Sequence, residues 1–381
     1  MKKKIIVLSS SGGAGHVTAT QALKDCLSGA YDVTSIDFMH VLHDIDLVKK
    51  ITRGGLEAEQ VFYNYCLKRR WFAVLNIVYQ IGTWYFALRR KKITAIFKKY
   101  IIDQKADLII SVVPIINGAL ADAAQMADVP LIIVPTDLNA KSFINGMHKT
   151  SYNKICMTQA FDDADVANSI KPSGLISAQI ATTGFPLRKQ FFNTKEKNEL
   201  KDSYAIPKNK PIIFLMMGGQ GSSTIITFLN ELSKIASPFH IIVCIGKFEQ
   251  LRLKIESLSF PAHITYTIVG FTSHIDDYMA MSDFAITKSG SVSVSESIYM
   301  NLPMFFDATG TILTWERFNH AFIKSHGFGQ SITSVKCIKQ VIENVLAQPS
   351  VYQAMHENLA QFPKKIFCDE IPVVVKNLLN S

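Results

Sequence analysis

Short apolar runs alternate with amphipathic stretches along most of the chain. Ile5 to Leu8 is a compact apolar run that ends in Ser and Gly. "YDVTSIDF" (31–38), "ADLIISVVP" (106–114) and "VPLIIVPTD" (129–137) follow it. Helical patterns lie between them, from about Thr18 to Leu27 and over "GALADAAQMA" (118–127). Apolar runs bounded by small residues predict buried parallel strands. The pattern starts again after "ATTGFPLRKQF" (181–191). "KPIIFLMMGGQG" (210–221) is a strand running into a glycine turn and then a helix. "FHIIVCIG" (239–246), "HITYTIVGF" (263–271), "DFAITKSG" (283–290) and "LPMFFD" (302–307) complete the second series. Alternating strands and helices predict doubly wound α/β sheets, here two Rossmann-like domains in tandem joined near Gly184 to Arg188. Ligands in such sheets lie beyond the carboxyl ends of the strands, so a cleft between the two domains is the expected active site.

Composition agrees with a folded chain and narrows its partners. Of 381 residues, 48% are hydrophobic and 19% charged, which is enough apolar surface for two cores. The net charge of +9 favours anionic partners. The basic residues are densest from Lys68 to Lys99, and the common nucleic-acid signatures are absent, so nucleic acid is not expected. Cys26, Cys66, Cys156, Cys244, Cys337 and Cys368 are scattered without CxxC spacing. They predict reduced, buried thiols in a cytoplasmic protein, not a zinc site or a disulfide framework. The opening "MKKKIIVLSS" has too short an apolar run for a signal peptide.

Both halves begin with strand, glycine turn and helix. "SSSGGAGH" (9–16), with Gly12, Gly13 and Gly15, and "GGQGSS" (218–223), with Gly219, Gln220 and Gly221, have neither the dinucleotide fingerprint nor a P-loop lysine. A tight strand-to-helix corner explains either turn alone; two at equivalent places favour a shared ligand. His16 sits near the start of the first helix, whose positive end keeps an imidazole neutral near pH 7. It then suits a general base on a hydroxyl, although a capping or packing histidine fits the same spacing. Further on, "TKSGS" (287–291) puts Lys288, hydroxyls and the Gly290 amide at a helix N-terminus, an arrangement suited to phosphate. Glu296 follows on that helix, where a carboxylate can accept both hydrogen bonds of a diol such as ribose; a solvated helix carboxylate is the plainer reading.

The stretch "GFTSHIDDYMAMSDFAITKSGSVSVSESIYMNLPMFF" (270–306) resembles the donor-binding signature of GT-B glycosyltransferases of the monogalactosyldiacylglycerol synthase and processive diacylglycerol glucosyltransferase family, and more distantly the lipid II-forming N-acetylglucosaminyl transferase. Thr287, Lys288, Gly290, Glu296 and Pro303 match the family's "TKAGxxTxxEAxxxxxP". "MGGQG" (217–221), "TGFPLR" (183–188), "SSSGGAGH" and "PTD" (135–137) resemble further family pieces in the same order. The resemblance implies a GT-B fold with an acceptor domain over 1–186, a UDP-sugar domain over 187–360 and a helix over 361–381 returning to the first domain. It implies that Gly219 to Gly221 and Ser289 to Ser291 hold the UDP diphosphate and that Glu296 holds the ribose. "TWERFN" (314–319) resembles the family's hexose segment, which assigns Glu316 and Asn319 to the sugar. His16 is then the base, with Asp137 as the competing candidate. UDP-sugar is a co-substrate, with no metal and no other cofactor implied. Ala14, Ser289, Ser291, Val292 and Trp315 depart from the family pattern, and Trp315 leaves the sugar identity open.

"LKRRWFAVLNIVYQIGTWYFALRRKK" (67–92) is the other unusual stretch. Its apolar middle is as long as a short spanning helix, but Asn76, Gln80 and Thr83 form one polar stripe, which Arg69 and Arg90 extend. Arg69, Arg70, Trp71, Trp84, Arg89 and Arg90 suit a helix lying in an anionic headgroup layer; a core helix pair with basic ends is the alternative. The expectation is therefore an inverting hexosyltransferase acting on a lipid hydroxyl, most naturally diacylglycerol, peripheral on the inner face of a membrane. A polyprenyl-linked acceptor, a UDP-sugar epimerase and a non-catalytic lipid- or nucleotide-binding relative are the alternatives.

Overall fold

The computed structural model describes residues 2–10, 14–43, 45, 65–66, 71–149, 152–193 and 195–380. The chain divides into two units: Met1–Asn64, Val74–Lys189 and Pro363–Ser381 in one, Tyr65–Ala73 and Gln190–Phe362 in the other.

The first unit holds a six-stranded parallel sheet in the order β2-β1-β3-β4-β5-β6. The strands are β1 (Lys4–Ser9), β2 (Asp32–Asp37), β3 (Leu108–Ser111), β4 (Leu131–Ile133), β5 (Ile155–Gln159) and β6 (Ile180–Thr182). The sheet core is built from Ile6, Leu8, Ile109, Ile133 and Met157, with Phe97 and Leu120 covering it. Helix α1 (Ala14–Leu27) follows β1. Helix α2 (Phe72–Leu88) is succeeded by α3 (Arg90–Asp103), and α4 (Asn117–Ala127) connects β3 to β4.

The second unit repeats the plan, with strand order β12-β11-β10-β7-β8-β9. Its strands are β7 (Ile212–Met216), β8 (Phe239–Gly246), β9 (Ile264–Gly270), β10 (Phe284–Thr287), β11 (Met304–Asp307) and β12 (Gly329–Ile332). β7 and β8 are buried throughout, as parallel strands covered on both faces must be. Helices α5 (Thr224–Leu232), α6 (Ile275–Met281), α7 (Ser291–Tyr299) and α8 (Arg317–Ser325) frame the carboxyl edge. Chain order reverses beside β1 in the first sheet and beside β7 in the second, so each sheet has one switch point, between β1 and β3 and between β7 and β10.

Helix α9 (Phe367–Leu379) belongs to the first unit. It buries Phe367, Ile371 and Val375, spaced one turn apart. A disulfide joins its Cys368 to Cys26 of α1, with Cα atoms 5.0 Å apart. This corrects the expectation of thiols alone: the two cysteines are 342 residues apart, and no local spacing announces the pair. Cys66, Cys156 and Cys244 are buried free thiols, whereas Cys337 is half-buried.

Candidate functional site

At the switch point of the first sheet, α1 begins at Ala14, earlier than Thr18, so Gly15 and His16 lie in its first turn. Gly12 and Gly13 lie outside the described residues. Thr20 donates to Ser9 Oγ at 2.7 Å and ties the helix to the end of β1. The His16 ring then reaches the turn after β3: Nδ1 lies 2.7 Å from the Val112 carbonyl and 3.3 Å from Thr136 Oγ1. A carbonyl only accepts, so Nδ1 carries the proton and Nε2 keeps its lone pair. Burial lowers the His16 pKa, against smaller upward pulls from the Val112 carbonyl and the Asp37 charge. Burial therefore favours the neutral ring. Asp137 follows Thr136 directly and is half-buried, so both candidate bases stand at one sheet edge.

The turn that presents Val112 is firmly held. Buried Asn117 donates to the carbonyls of Val113 and Phe143, both at 2.9 Å, and accepts from Ser111 Oγ at 2.7 Å. Ile115 in that turn has φ +76°. For a β-branched residue this conformation costs on the order of 1–3 kcal/mol, and such strain clusters at functional sites. The sequence offers no signal for it, since glycine is the usual marker of positive φ.

At the switch point of the second sheet, Thr287 pairs with Met216, which brings the turns after β10 and β7 side by side. Gly218 has φ +80°, and a Cβ there would fall 2.7 Å from Lys288 Cε. The lysine therefore lies across the glycine turn. Gly221 has φ +73°, and a Cβ would fall 2.2 Å from the Ile245 carbonyl oxygen. Lys247 N donates to the Gly219 carbonyl at 3.1 Å, so the turn that follows β8 clasps the same glycines. Gly219 itself is exposed, and Gln220 is half-buried.

Lys288, Ser289 and Gly290 lead into α7, with Gly290 at its N-cap. Ser289 Oγ donates to Glu316 Oε2 at 3.3 Å, and Lys288 Nζ lies 3.9 Å from Glu316 Oε1. Asn319 is fully buried, and its Nδ2 donates to the Ser289 carbonyl at 2.7 Å and to Ser291 Oγ at 3.1 Å. Glu316 and Asn319, assigned to a sugar by resemblance, are thus wired into the turn that ends at α7. Glu296 is 6% exposed, not a solvated surface carboxylate. Asp276 and Asp277, from "HIDDYM", are buried at the start of α6 and both pair with Lys195; Tyr204 donates to Asp277 at 2.6 Å. Sequence reading gave them no role; they anchor the helix that follows β9.

The basic aromatic stretch differs from its expected layout. Helix α2 turns Val74, Ile77, Val78, Ile81, Trp84 and Leu88 outward, with Trp84 and Leu88 each 64% exposed. These residues recur at helical spacing and form one apolar stripe. Asn76 and Thr83, from the predicted polar stripe, are half-buried, while Gln80 is exposed. Arg90 is not part of any outward face. It grips Asp122 with two bonds, at 2.7 and 2.9 Å, and donates to the Gly146 and Gly118 carbonyls at 2.7 and 3.1 Å. A guanidinium fork satisfies such a convergent set of acceptors better than it serves a lipid headgroup. Arg89 is exposed, with its guanidinium 5.9 Å from the Tyr85 ring centroid, and Trp71 is 46% exposed. Arg69 and Arg70 lie outside the described residues. No helix among the described residues is long and apolar enough to cross a membrane.

Comparison with known proteins adds the remaining findings. Residues 212–311 match the family described as "Glycosyltransferase family 28 C-terminal domain". A processive diacylglycerol beta-glucosyltransferase of Staphylococcus epidermidis is 24% identical over 344 residues, spanning 86% of this chain and 81% of its own length. The chloroplastic monogalactosyldiacylglycerol synthase 1 of Arabidopsis thaliana is 23% identical over 359 residues, spanning 89% of this chain and 64% of its own length. Among solved structures, Acinetobacter baumannii MurG superposes with a TM-score of 0.67 at 13% identity over 100% of both chains. A Staphylococcus aureus MnaA–UDP co-structure superposes with a TM-score of 0.62 at 13% identity, over 100% of this chain and 97% of that one. With two parallel six-stranded sheets, these likenesses give the chain the two-domain, Rossmann-like GT-B fold.

Proposed function

We propose, on the premise that this chain is a UDP-sugar-dependent glycosyltransferase carrying a family 28 C-terminal domain on a GT-B fold, that it moves glucose or galactose to the free hydroxyl of diacylglycerol at a membrane surface. The transfer inverts the anomeric carbon. His16 Nε2 takes the proton of the lipid hydroxyl while that oxygen bonds to the anomeric carbon and the bond to UDP breaks on the opposite face. Lys288, the hydroxyls of Ser289 and Ser291 and the N-terminus of α7 take up the charge of the departing UDP. Glu296 holds the ribose hydroxyls. Asp137 is the competing base.

One observation carries this reading: an imidazole fixed through Nδ1 to the Val112 carbonyl and kept neutral by burial, with Nε2 left as the acceptor. The two relatives named above support diacylglycerol, and their different sugars keep both hexoses in play. The outward apolar stripe of α2, flanked by Trp71, Arg89, Lys91 and Lys92, supports a peripheral seat on the cytoplasmic face of an anionic membrane.

The test uses radiolabelled UDP-glucose and UDP-galactose, separately, with vesicles containing diacylglycerol. Label should enter the organic phase from one of them, and His16→Ala should cut kcat by about 10²–10⁴-fold with UDP affinity unchanged. Label found only in a water-soluble product would reject lipid transfer and favour the epimerase alternative. Undiminished turnover in His16→Ala would hand the base role to Asp137.

A further inference from the structure

The 3₁₀ turn Thr314–Glu316 sits beside the phosphate turn, and its Glu316 is only 8% exposed. Both oxygens of this carboxylate face the proposed leaving-group cradle: Oε2 accepts from Ser289 at 3.3 Å, and Oε1 is 3.9 Å from Lys288 Nζ. The Lys288 side chain is about one-third exposed, so a ligand can reach it from solvent. A nucleoside diphosphate carries more negative charge than one carboxylate and offers several acceptors to the same ammonium and hydroxyl. It therefore competes with Glu316 for Lys288 and Ser289.

We infer that Glu316 occupies the cation site when no donor is bound, and that the diphosphate displaces it, turning the carboxylate toward the hexose hydroxyls. Donor recognition is then sequential. The diphosphate takes Lys288 first, and only the released Glu316 reads the sugar. Asn319 keeps the turn in place throughout, because its amide bonds to the Ser289 carbonyl and Ser291 Oγ do not involve Glu316. This inference rests on the UDP-sugar reading and adds an internal competitor to it.

Calorimetric titration of UDP, UDP-glucose and UDP-galactose into the full-length wild type and Glu316→Gln tests the exchange. Removing the competing charge should tighten UDP by about two- to fivefold, the range expected for a partly exposed ion pair. The same variant should lose whatever extra affinity the hexose adds in the wild type. Equal or weaker UDP binding by a folded Glu316→Gln would overturn the exchange. A second measurement does not depend on that variant. With Trp71→Phe and Trp84→Phe in place, Trp315 is the remaining tryptophan and adjoins Glu316. Saturating UDP should change its emission, and an unchanged spectrum would overturn the exchange as well. Failure of the wild type to bind any UDP compound is a different result, since it removes the donor reading itself.

Discussion

At the scale of single residues, the site depends on side chains that are spent on the protein before any substrate arrives. His16 gives Nδ1 to Val112, and burial lowers its pKa. The base proposed here works only when neutral, so the acidic limb of the kcat/KM profile should fall below pH 6.5, the ordinary value for histidine. A limb well above 6.5 in a pH–rate measurement would point to another group. Gly221 is the converse case, a position that leaves no room for a side chain. Alanine there meets both a positive φ and the Ile245 carbonyl oxygen, so Gly221→Ala should destabilise the second unit by about 1–3 kcal/mol and abolish UDP binding. Thermal melts with and without UDP check both effects. The glycine turn after β7, the place of His16 at the start of α1 and that of Lys288 before α7 were legible in the sequence, because small residues at a strand-to-helix corner and a lysine before a helix have direct physical readings. The commitments of Glu316 and Asn319 to the turn were not legible, because those partners lie 25 or more residues away in the chain.

At the scale of elements, α2 shows what hydrophobic periodicity can and cannot say. The helix was evident in the sequence, but which face would be wet was not. Asn76 and Thr83 are half-buried, and the larger apolar residues point out. Ile81→Glu with Trp84→Glu should therefore cut binding to anionic vesicles at least about tenfold in a sedimentation assay, while the melting temperature stays within a few degrees, since both side chains are already exposed. Retained binding would remove α2 from the membrane reading. The pairing of β8 with β9 carries a pH dependence of its own. His240, on β8, has Nδ1 2.8 Å from Thr265 Oγ1 and Nε2 3.2 Å from Thr267 Oγ1, and burial pushes its pKa down to about 4. The folded state resists protonation that the unfolded chain accepts near 6.5. Stability is therefore full above pH 6.5 and declines from there toward pH 4, by up to about 3 kcal/mol from this group. Replacing His240 with Gln should flatten that slope in a series of melts.

At the scale of the molecule, both sheets were legible as strand–helix alternation, because buried parallel strands read as apolar runs. β5, β6 and β12 escaped because their runs are short or interrupted; β6 is half-buried along its whole length. The disulfide escaped because its two cysteines sit at opposite ends of the first unit's sequence. Helix α9 buries three apolar side chains against that unit, at about 1.5–3 kcal/mol each. Truncation after Phe362 should lower the melting temperature of the first unit and spare the second, as separate transitions in calorimetry would show.

That same helix sets an order on synthesis. A ribosome makes β1 and α1 early, yet the wall that α9 supplies to them emerges only after the entire second unit has been translated. The second unit's residues are all in the chain before α9 is made, whereas the first lacks α9 until the end, with Cys26 unmatched and its apolar flank open. The nascent chain thus spends most of its translation with the half that carries His16 incomplete, and it is this half that chaperones would be expected to guard.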